Sequence, residues 1–426
     1  MKTIIFSILL YVSASYGLFA QESITLETCY QSAIENYPLT RQKELLPISN
    51  ELKVKNLNKN YLPEMMVNGQ AHYQSDVTKT PFQNASIPGI EPIPTVANDW
   101  YKISLDVHQV IYDGSTTGRQ KDLEEINLEI EQQNIDIELY KLKERVHHIY
   151  FSVLLYRENI HVIELHKSIL AAKLKDVESG IQNGTILASN ADILKAEIIQ
   201  IEQSLAELNI GIQTSVEILN ELTALQLNTK TEFQLPDISI DLSSYLNSRP
   251  EYLLFTLQQD KLEASKKVIG TKLIPRLSAF GQAGYGRPGY DMLNPNFDDF
   301  YMIGARLNWN IWDWNRSGKE KAILDLQSQI IDTQKETFDK NIRIDLQNKI
   351  AEIRKVEEMI GRDLQIIELR ERISKASSSQ LDNGVITSTE YLTEINAESR
   401  SKLNLRAHKI QLAKAKLDYK ATIGNL

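Results

Sequence analysis

The stretch Tyr301-Met302-Ile303-Gly304-Ala305-Arg306-Leu307-Asn308-Trp309-Asn310-Ile311-Trp312-Asp313-Trp314 decides the fold. Tyr301, Ile303, Ala305, Leu307, Trp309 and Ile311 alternate with Met302, Gly304, Arg306, Asn308 and Asn310. A strand turns successive side chains to opposite faces, so one face of this segment is apolar and the other is polar or small. Three further segments alternate in the same way. Val67, Ala71 and Tyr73 oppose Asn68, Gln70, His72 and Gln74. Tyr101, Ile103, Leu105 and Val107 oppose Lys102, Ser104, Asp106 and His108. Leu277, Ala279, Ala283 and Tyr285 oppose a mixed set, Ser278, Phe280, Gln282 and Gly284. Strands are therefore expected near residues 65–75, 100–111, 277–286 and 301–312.

Segments of about ten residues, apolar on one side with aromatics at their ends, carry the pattern of transmembrane barrel strands. Trp100, Tyr112, Trp312 and Trp314 stand where interfacial anchors stand. The same alternation also suits a sheet that packs one face on a soluble core. That arrangement needs a second layer, and the rest of the chain is committed to long helices. Four strands cannot close a barrel, and open edges are forbidden in lipid. Three subunits pooling their strands would supply about 12, within the range of outer-membrane barrels.

Outward from the strands, the chain repeats itself. Asn36-Tyr37-Pro38 matches Ser248-Arg249-Pro250, and Tyr61-Leu62-Pro63 matches Leu273-Ile274-Pro275, both at an offset of 212 residues. Ile111-Tyr112-Asp113-Gly114 matches Ile311-Trp312-Asp313-Trp314, and Asn183-Gly184 matches Asn383-Gly384, at an offset of 200. One loop insertion carrying Pro81, Pro88, Pro92 and Pro94 accounts for the difference. The period is far longer than that of solenoid repeats, so each half is a domain-sized unit. Each half reads as a helix of about 35 residues ending at Pro63 or Pro275, a strand hairpin, a very long helix, Asn-Gly, and a second long helix. The expected organisation is a first repeat over 21–225, a linker over 226–241 and a second repeat over 242–426. Long helices are expected near 117–182, 186–224, 316–382 and 386–423.

Proline supports the long helices. There are 12 prolines, none between Pro94 and Pro236 and none after Pro295, and proline breaks helix interiors. Leu142, Ile149, Tyr156, Ile163, Leu170 and Val177 recur every seventh residue. Val146, Val153, Ile160, Lys167, Leu174 and Ile181 interleave, broken only by Lys167. Beyond Asn183-Gly184, Leu187, Leu194, Ile201, Leu208 and Leu222 recur by seven, between Ala191, Ile198, Leu205, Ile212 and Leu219. The second half keeps the period less strictly, through Leu346, Ile353, Ile360, Ile367, Leu403, Ile410 and Leu417. Such a repeat implies left-handed, coiled-coil-like helix packing. A helix from about Thr117 to Asn183 would be roughly 100 Å long. Helices of this kind also suit a secreted coiled-coil structural or adhesion protein.

Composition narrows the class. The 426 residues carry a formal charge of −9 and one cysteine, which argues against a nucleic-acid binder and excludes a disulfide framework. Lys2 followed by Ile4-Ile5-Phe6-Ser7-Ile8-Leu9-Leu10 and small residues to Ala20 reads as a signal peptide over residues 1–20. No later run approaches the ~18 apolar residues of a spanning helix. Cys29, within Leu26-Glu27-Thr28-Cys29, is poorly placed for lipidation and is expected to pack as a small apolar residue.

These features together resemble the TolC-like outer-membrane factor family. The resemblance is carried by the opening residues from Ile24 to Pro38, Pro63 and Pro275, Tyr112-Asp113-Gly114 and Trp312-Asp313-Trp314. Its strongest carriers are the turns Asn183-Gly184 with Asp192-Ile193-Leu194-Lys195-Ala196-Glu197, and Asn383-Gly384 with Glu390-Tyr391-Leu392. The resemblance implies an α+β membrane protein. Long helical hairpins would form an α-barrel, and four transmembrane strands per subunit would contribute to a shared 12-stranded β-barrel in a homotrimer. It implies placement in the outer membrane of a Gram-negative bacterium, in contact with its lipid, with most of the mass in the periplasm. The duct would serve tripartite efflux or type I secretion, meeting a periplasmic adaptor (membrane fusion) protein and a proton- or ATP-driven inner-membrane pump. Asn183, Gly184, Asn383 and Gly384 would form the tip that docks the adaptor. Glu390 would fall on a position where the family places acidic rings at the entrance constriction, while the next such position is Thr393, beside Glu394. No enzyme activity, catalytic residue, cofactor or nucleic-acid partner is implied.

Other signals point elsewhere and are set aside. Gly284-Tyr285-Gly286-Arg287-Pro288-Gly289 satisfies a dinucleotide-binding pattern, but Pro288, Pro295 and neighbouring Asn and Asp residues mark a hairpin loop, not a following helix. Gly318-Lys319 lacks the upstream glycine of a phosphate loop. His147-His148 and His161 with His166 lack i, i+4 spacing, so no metal site is expected.

Overall fold

The computed structural model describes residues 23–79, 96–241 and 248–426. The expected signal peptide and Pro81, Pro88, Pro92 and Pro94 lie outside these described residues. Seven helices and four strands follow in order among the described residues. They are α1 (Leu26–Asn36), α2 (Pro38–Asn58), β1 (Glu64–Tyr73), β2 (Asp99–Tyr112), α3 (Thr116–Gln182), α4 (Ala188–Thr223), α5 (Pro250–Gly270), β3 (Arg276–Arg287), β4 (Asp298–Asn308), α6 (Arg316–Asp382) and α7 (Ser388–Thr422). Among the described residues, no helix is long and apolar enough to cross a membrane.

The helix expected to run unbroken to Pro63 is instead two helices. Tyr37 takes φ −73° and ψ 131°, the extended conformation that the residue before a proline is pushed into, and Pro38 then opens α2. The matching helix in the second half, α5, has 21 residues and likewise opens on a proline, Pro250. In α1, Leu26, Cys29, Tyr30 and Ala33 are buried at i, i+3, i+4 and i+7. Burial pushes the Cys29 thiol up to about 12, so it stays protonated and packs as an apolar side chain.

The chain forms two compact units, each drawing on both halves. One comprises residues up to Lys43, Gln133–Leu253 and Lys335–Leu426; the other comprises Glu44–Gln132 and Leu254–Gln334. The first unit is helical. Leu142, Val146, Val153, Leu170 and Val177 of the heptad series are buried along α3, and Lys167, its polar break, pairs with Glu202 at 2.8 Å. Tyr150 and Phe151, outside the series, are buried as well. The Tyr150 hydroxyl reaches the carbonyls of Ile24 and Gln234 at 2.8 and 2.7 Å. It thereby ties α3 to the short bridge between Ile24 and Phe233. Arg249 lies over the Tyr140 ring and donates to Glu144 at 3.1 Å.

The second unit holds the sheet, antiparallel throughout in the order β1-β2-β3-β4. β4 lies a few residues N-terminal to the expected 301–312. Its ladder starts at Asp298, opposite Gly286, and stops where Asn308 pairs with Arg276. Pro275 precedes Arg276 and has no N–H to extend the pairing. Trp309, just past the ladder, donates its indole N–H to the Leu273 carbonyl at 3.1 Å.

Each strand-to-helix junction is made by an aspartate. Asp113 accepts from the Thr117 N–H at 2.7 Å and from the Tyr61 hydroxyl at 2.9 Å. Asp313 accepts from the Ser317 N–H at 2.9 Å. Both thereby satisfy orphan donors at the start of a 67-residue helix. The chain then turns through two residues of positive φ, Gly114 and Ser115 in one copy, Trp314 and Asn315 in the other. Asp113→Ala is expected to lower stability by about 1–2 kcal/mol, with Asp113→Asn losing less, in thermal unfolding of the detergent-solubilised protein.

Candidate functional site

Cross-strand pairing settles which side chains share a face of the sheet. Met65, Val67, Tyr73, Tyr101, Ile103, Leu105, Val107, Leu277, Tyr285, Tyr301, Ile303 and Leu307 fall on one face through the observed register. Among the described residues no second layer covers this face: Val67 is 70% exposed and Ile303 82% exposed. Tyr73, Tyr101, Tyr285 and Tyr301 each lie two ladder positions from the tyrosine on the next strand and form a slanted tyrosine row toward the loop end. Arg287 and Asp99 pair at 3.3 Å beyond it. At the helix end of the strands stand Tyr112, Trp309, Trp312 and Trp314, all exposed. From Tyr101 to Tyr112 the strand covers about 36 Å, or roughly 28 Å at a barrel tilt of ~40°. That height matches an apolar band of ~25 Å between aromatic girdles.

The opposite face is polar and hydrogen-bonded to itself. Asp106 accepts from Asn68 and Gln282, and Lys102 donates to Gln282 at 3.3 Å. Tyr290, from the loop after β3, donates to the same Gln282 oxygen at 2.6 Å. Lys102 lies under Tyr290 and Phe300. Gly284 makes room for this cluster, since a Cβ there would meet Phe300 Cζ at 2.5 Å. The dinucleotide-like glycines thus belong to a strand and its loop. Among the described residues, β1 and β4 each have one neighbour, so each leaves one edge unpaired.

The other unit carries the two turns singled out in the sequence. After α3, Gly184 takes φ +74°, its N–H bonds to Ile181 O at 3.0 Å, and Thr185 N–H bonds to Gly180 O at 2.9 Å. After α6, Gly384 takes φ +68°, with Gly384 N–H to Leu381 O at 3.0 Å and Val385 N–H to Gln380 O at 2.8 Å. Both are Schellman closures, in which a left-handed glycine satisfies the last carbonyls of a helix. Asn183 and Asn383 each directly precede that glycine, and Asn383 also donates its side-chain amide to Ser379 O at 2.7 Å.

The two hairpins share one core, in which Leu170, Val177, Ala191, Leu194 and Ile201 meet Leu381, Tyr391, Leu392 and Ile395.

Glu390 is placed by its own helix. The side chain of Thr387 caps α7, and the Glu390 carboxylate accepts from the Thr387 N–H at 2.7 Å and its hydroxyl at 2.9 Å, a complete capping box. Those hydrogen bonds, the backbone one first, hold the Glu390 carboxyl below its usual range. The Thr-x-x-Glu spacing of Thr387 to Glu390 signals this cap in the sequence. Lys173 has no such signal. Its ammonium is buried, 2.6 Å from Asp382 and 3.3 Å from the Ser378 hydroxyl, over the Tyr391 ring. Its partners lie more than 200 residues away in the chain.

With the geometry in place, comparison with solved structures identifies the architecture. The chain superposes on the CmeC outer membrane channel of Campylobacter jejuni with a TM-score of 0.67 at 13% identity, covering 94% of this chain and 85% of that one. For the outer membrane protein VceC of Vibrio cholerae the TM-score is 0.65 at 12% identity, covering 94% and 96%. For the open MtrE outer membrane channel of Neisseria gonorrhoeae it is 0.65 at 14% identity, covering 94% and 89%. The chain therefore has the TolC-like outer-membrane-factor fold, the likeness extending over nearly its whole length. No protein-family model matches the chain, and neither does any curated protein sequence.

Asp382→Ala leaves the Lys173 ammonium buried without its carboxylate and is expected to destabilise the tip by about 1–3 kcal/mol. Adding Lys173→Met should recover most of that loss. A double-mutant cycle read by thermal unfolding measures the coupling.

Proposed function

We propose that this chain is one subunit of a homotrimeric outer-membrane channel, the exit duct of a tripartite efflux or type I secretion system. The observation that carries the reading is the four-stranded sheet, apolar on an unpartnered face, banded by aromatics and open at both edges. In lipid every strand must be paired, so β1 of one subunit meets β4 of the next until the ring closes. Three copies give about 12 strands, and the polar network around Asp106 and Gln282 then lines the interior. Exposed apolar residues at helical spacing, Leu45, Ile48 and Leu52 on α2 and Ile323, Leu326 and Ile330 on α6, are the faces such an assembly would cover. The fold shared with outer membrane channels supports the reading. The duct performs no chemistry and holds no cofactor.

Asn183-Gly184 and Asn383-Gly384 are the periplasmic ends of the duct and meet the adaptor, through which an inner-membrane pump delivers cargo. Glu390 contributes one carboxylate per subunit to the entrance constriction, in addition to capping α7.

The purified protein is expected to resist high-salt extraction, to run as a trimer and to conduct ions in a planar bilayer. Release by salt without conductance would instead indicate a secreted rod and overturn the channel. Ile303→Arg, on the lipid face, should prevent membrane assembly, since a midplane arginine costs about 2–4 kcal/mol per strand.

Glu390→Gln keeps the capping geometry while removing the charge. It should therefore alter single-channel conductance or cation block without loosening the tip, whereas an unchanged current–voltage curve would remove Glu390 from the constriction.

A further inference from the structure

One cluster in the helical unit has no part in the channel reading. His147 and His148 on α3 and Asp418 on α7 each offer a ligand atom, and these atoms lie within 4.8 Å of one another. The His147 side chain is 1% exposed. Its Nε2 is 3.0 Å from Asp418 Oδ1, and its Nδ1 is buried with no hydrogen-bond partner. A cation taken up between Nε2 and Asp418 Oδ1 would replace the hydrogen bond that joins them. His148 is exposed, and its ring centre lies 4.5 Å from that of His147. The three residues border a cleft of about 390 Å³ whose walls include Glu144, Asp345 and Lys349.

We propose that His147, His148 and Asp418 bind one divalent transition-metal cation of the zinc type. Two imidazoles and a carboxylate are the donor set of such ions, and three protein ligands leave a position for water from the cleft. Lys414 and Lys349 donate to the other carboxylate oxygen, Asp418 Oδ2, at 3.0 and 3.3 Å. They turn Oδ1 toward the imidazoles, as outer-shell donors orient a ligand. They also set two positive charges beside the ion. Calcium and magnesium, which take oxygen ligands, find only one carboxylate among the three donors and are disfavoured. Zinc, nickel and copper gain affinity from imidazole and are not. Bound metal pins α3, from the first half of the chain, to α7, at its end.

The sequence hides this site for a geometric reason. Adjacent histidines on a helix do not form a chelating pair by themselves, and the carboxylate that completes the set lies 271 residues from His147. The expectation that these histidines share no metal site rested on local spacing alone.

The test uses the full-length chain purified in detergent, stripped with EDTA and titrated with Zn²⁺ by calorimetry and with Co²⁺ by visible absorption. One ion per chain is expected, with Mg²⁺ failing to compete. His148→Ala removes an exposed ligand without disturbing the core and should weaken binding at least about tenfold. Lys414→Gln should tighten it. Absence of saturable binding would overturn the site, as would equal affinity in His148→Ala and wild type. Thermal unfolding with and without Zn²⁺ gives a second readout, a metal-dependent rise in midpoint that His148→Ala abolishes.

Discussion

In the proposed channel, backbone hydrogen bonding in lipid is the constraint on which the rest of the structure depends. A sheet of four strands leaves a row of unpaired N–H and C=O groups along β1 and another along β4. In water such edges are a hazard; in hydrocarbon they are untenable. Among the described residues no second layer covers the apolar face of this sheet, where Val67, Ile303 and Leu307 stand exposed. Closure through copies of the same chain satisfies the backbone and the side chains together. In the proposed homotrimer, each chain supplies a third of the barrel.

The same constraint accounts for the strand-to-helix junctions. In that channel a strand leaves the membrane and becomes a helix within a few residues, and Asp113 and Asp313 each supply the acceptor that opens the helix. The turn needs two left-handed residues. In the first copy one of them is Gly114, where a Cβ would stand 3.0 Å from Ile274. In the second copy Trp314 occupies the equivalent position at φ +54°, 83% exposed. A tryptophan in that conformation carries about 1–2 kcal/mol of backbone strain. In the proposed channel, anchoring that indole at the membrane interface offsets a strain of that size.

Much of the architecture was legible in one dimension. Period-two alternation marked all four strands and the correct faces of each, because a pleated strand has no freedom over which side a residue takes. Glycines 184 and 384 announced the helix ends, since both sit at positive φ. The errors have local causes. Pro38 splits the first helix through its effect on Tyr37. The start and end of β4 follow β3, whose own start is limited by Pro275. Glu390, read from the sequence as a constriction carboxylate, is in addition the acceptor of a capping box made by Thr387 three residues earlier.

By itself, then, the sequence determined the elements, their faces and their order, because each of these depends on residues within a turn or a strand of one another. Only the tertiary structure decided which distant residues meet. Lys173 finds Asp382, Tyr150 finds the carbonyls of Ile24 and Gln234, and His147 finds Asp418. Each of these contacts joins segments far apart in the chain, and periodicity carries no information about such pairs. The buried ammonium and the three-donor cluster exist only once helices from both halves pack against one another, and the Tyr150 hydrogen bonds only once the linker returns to α3.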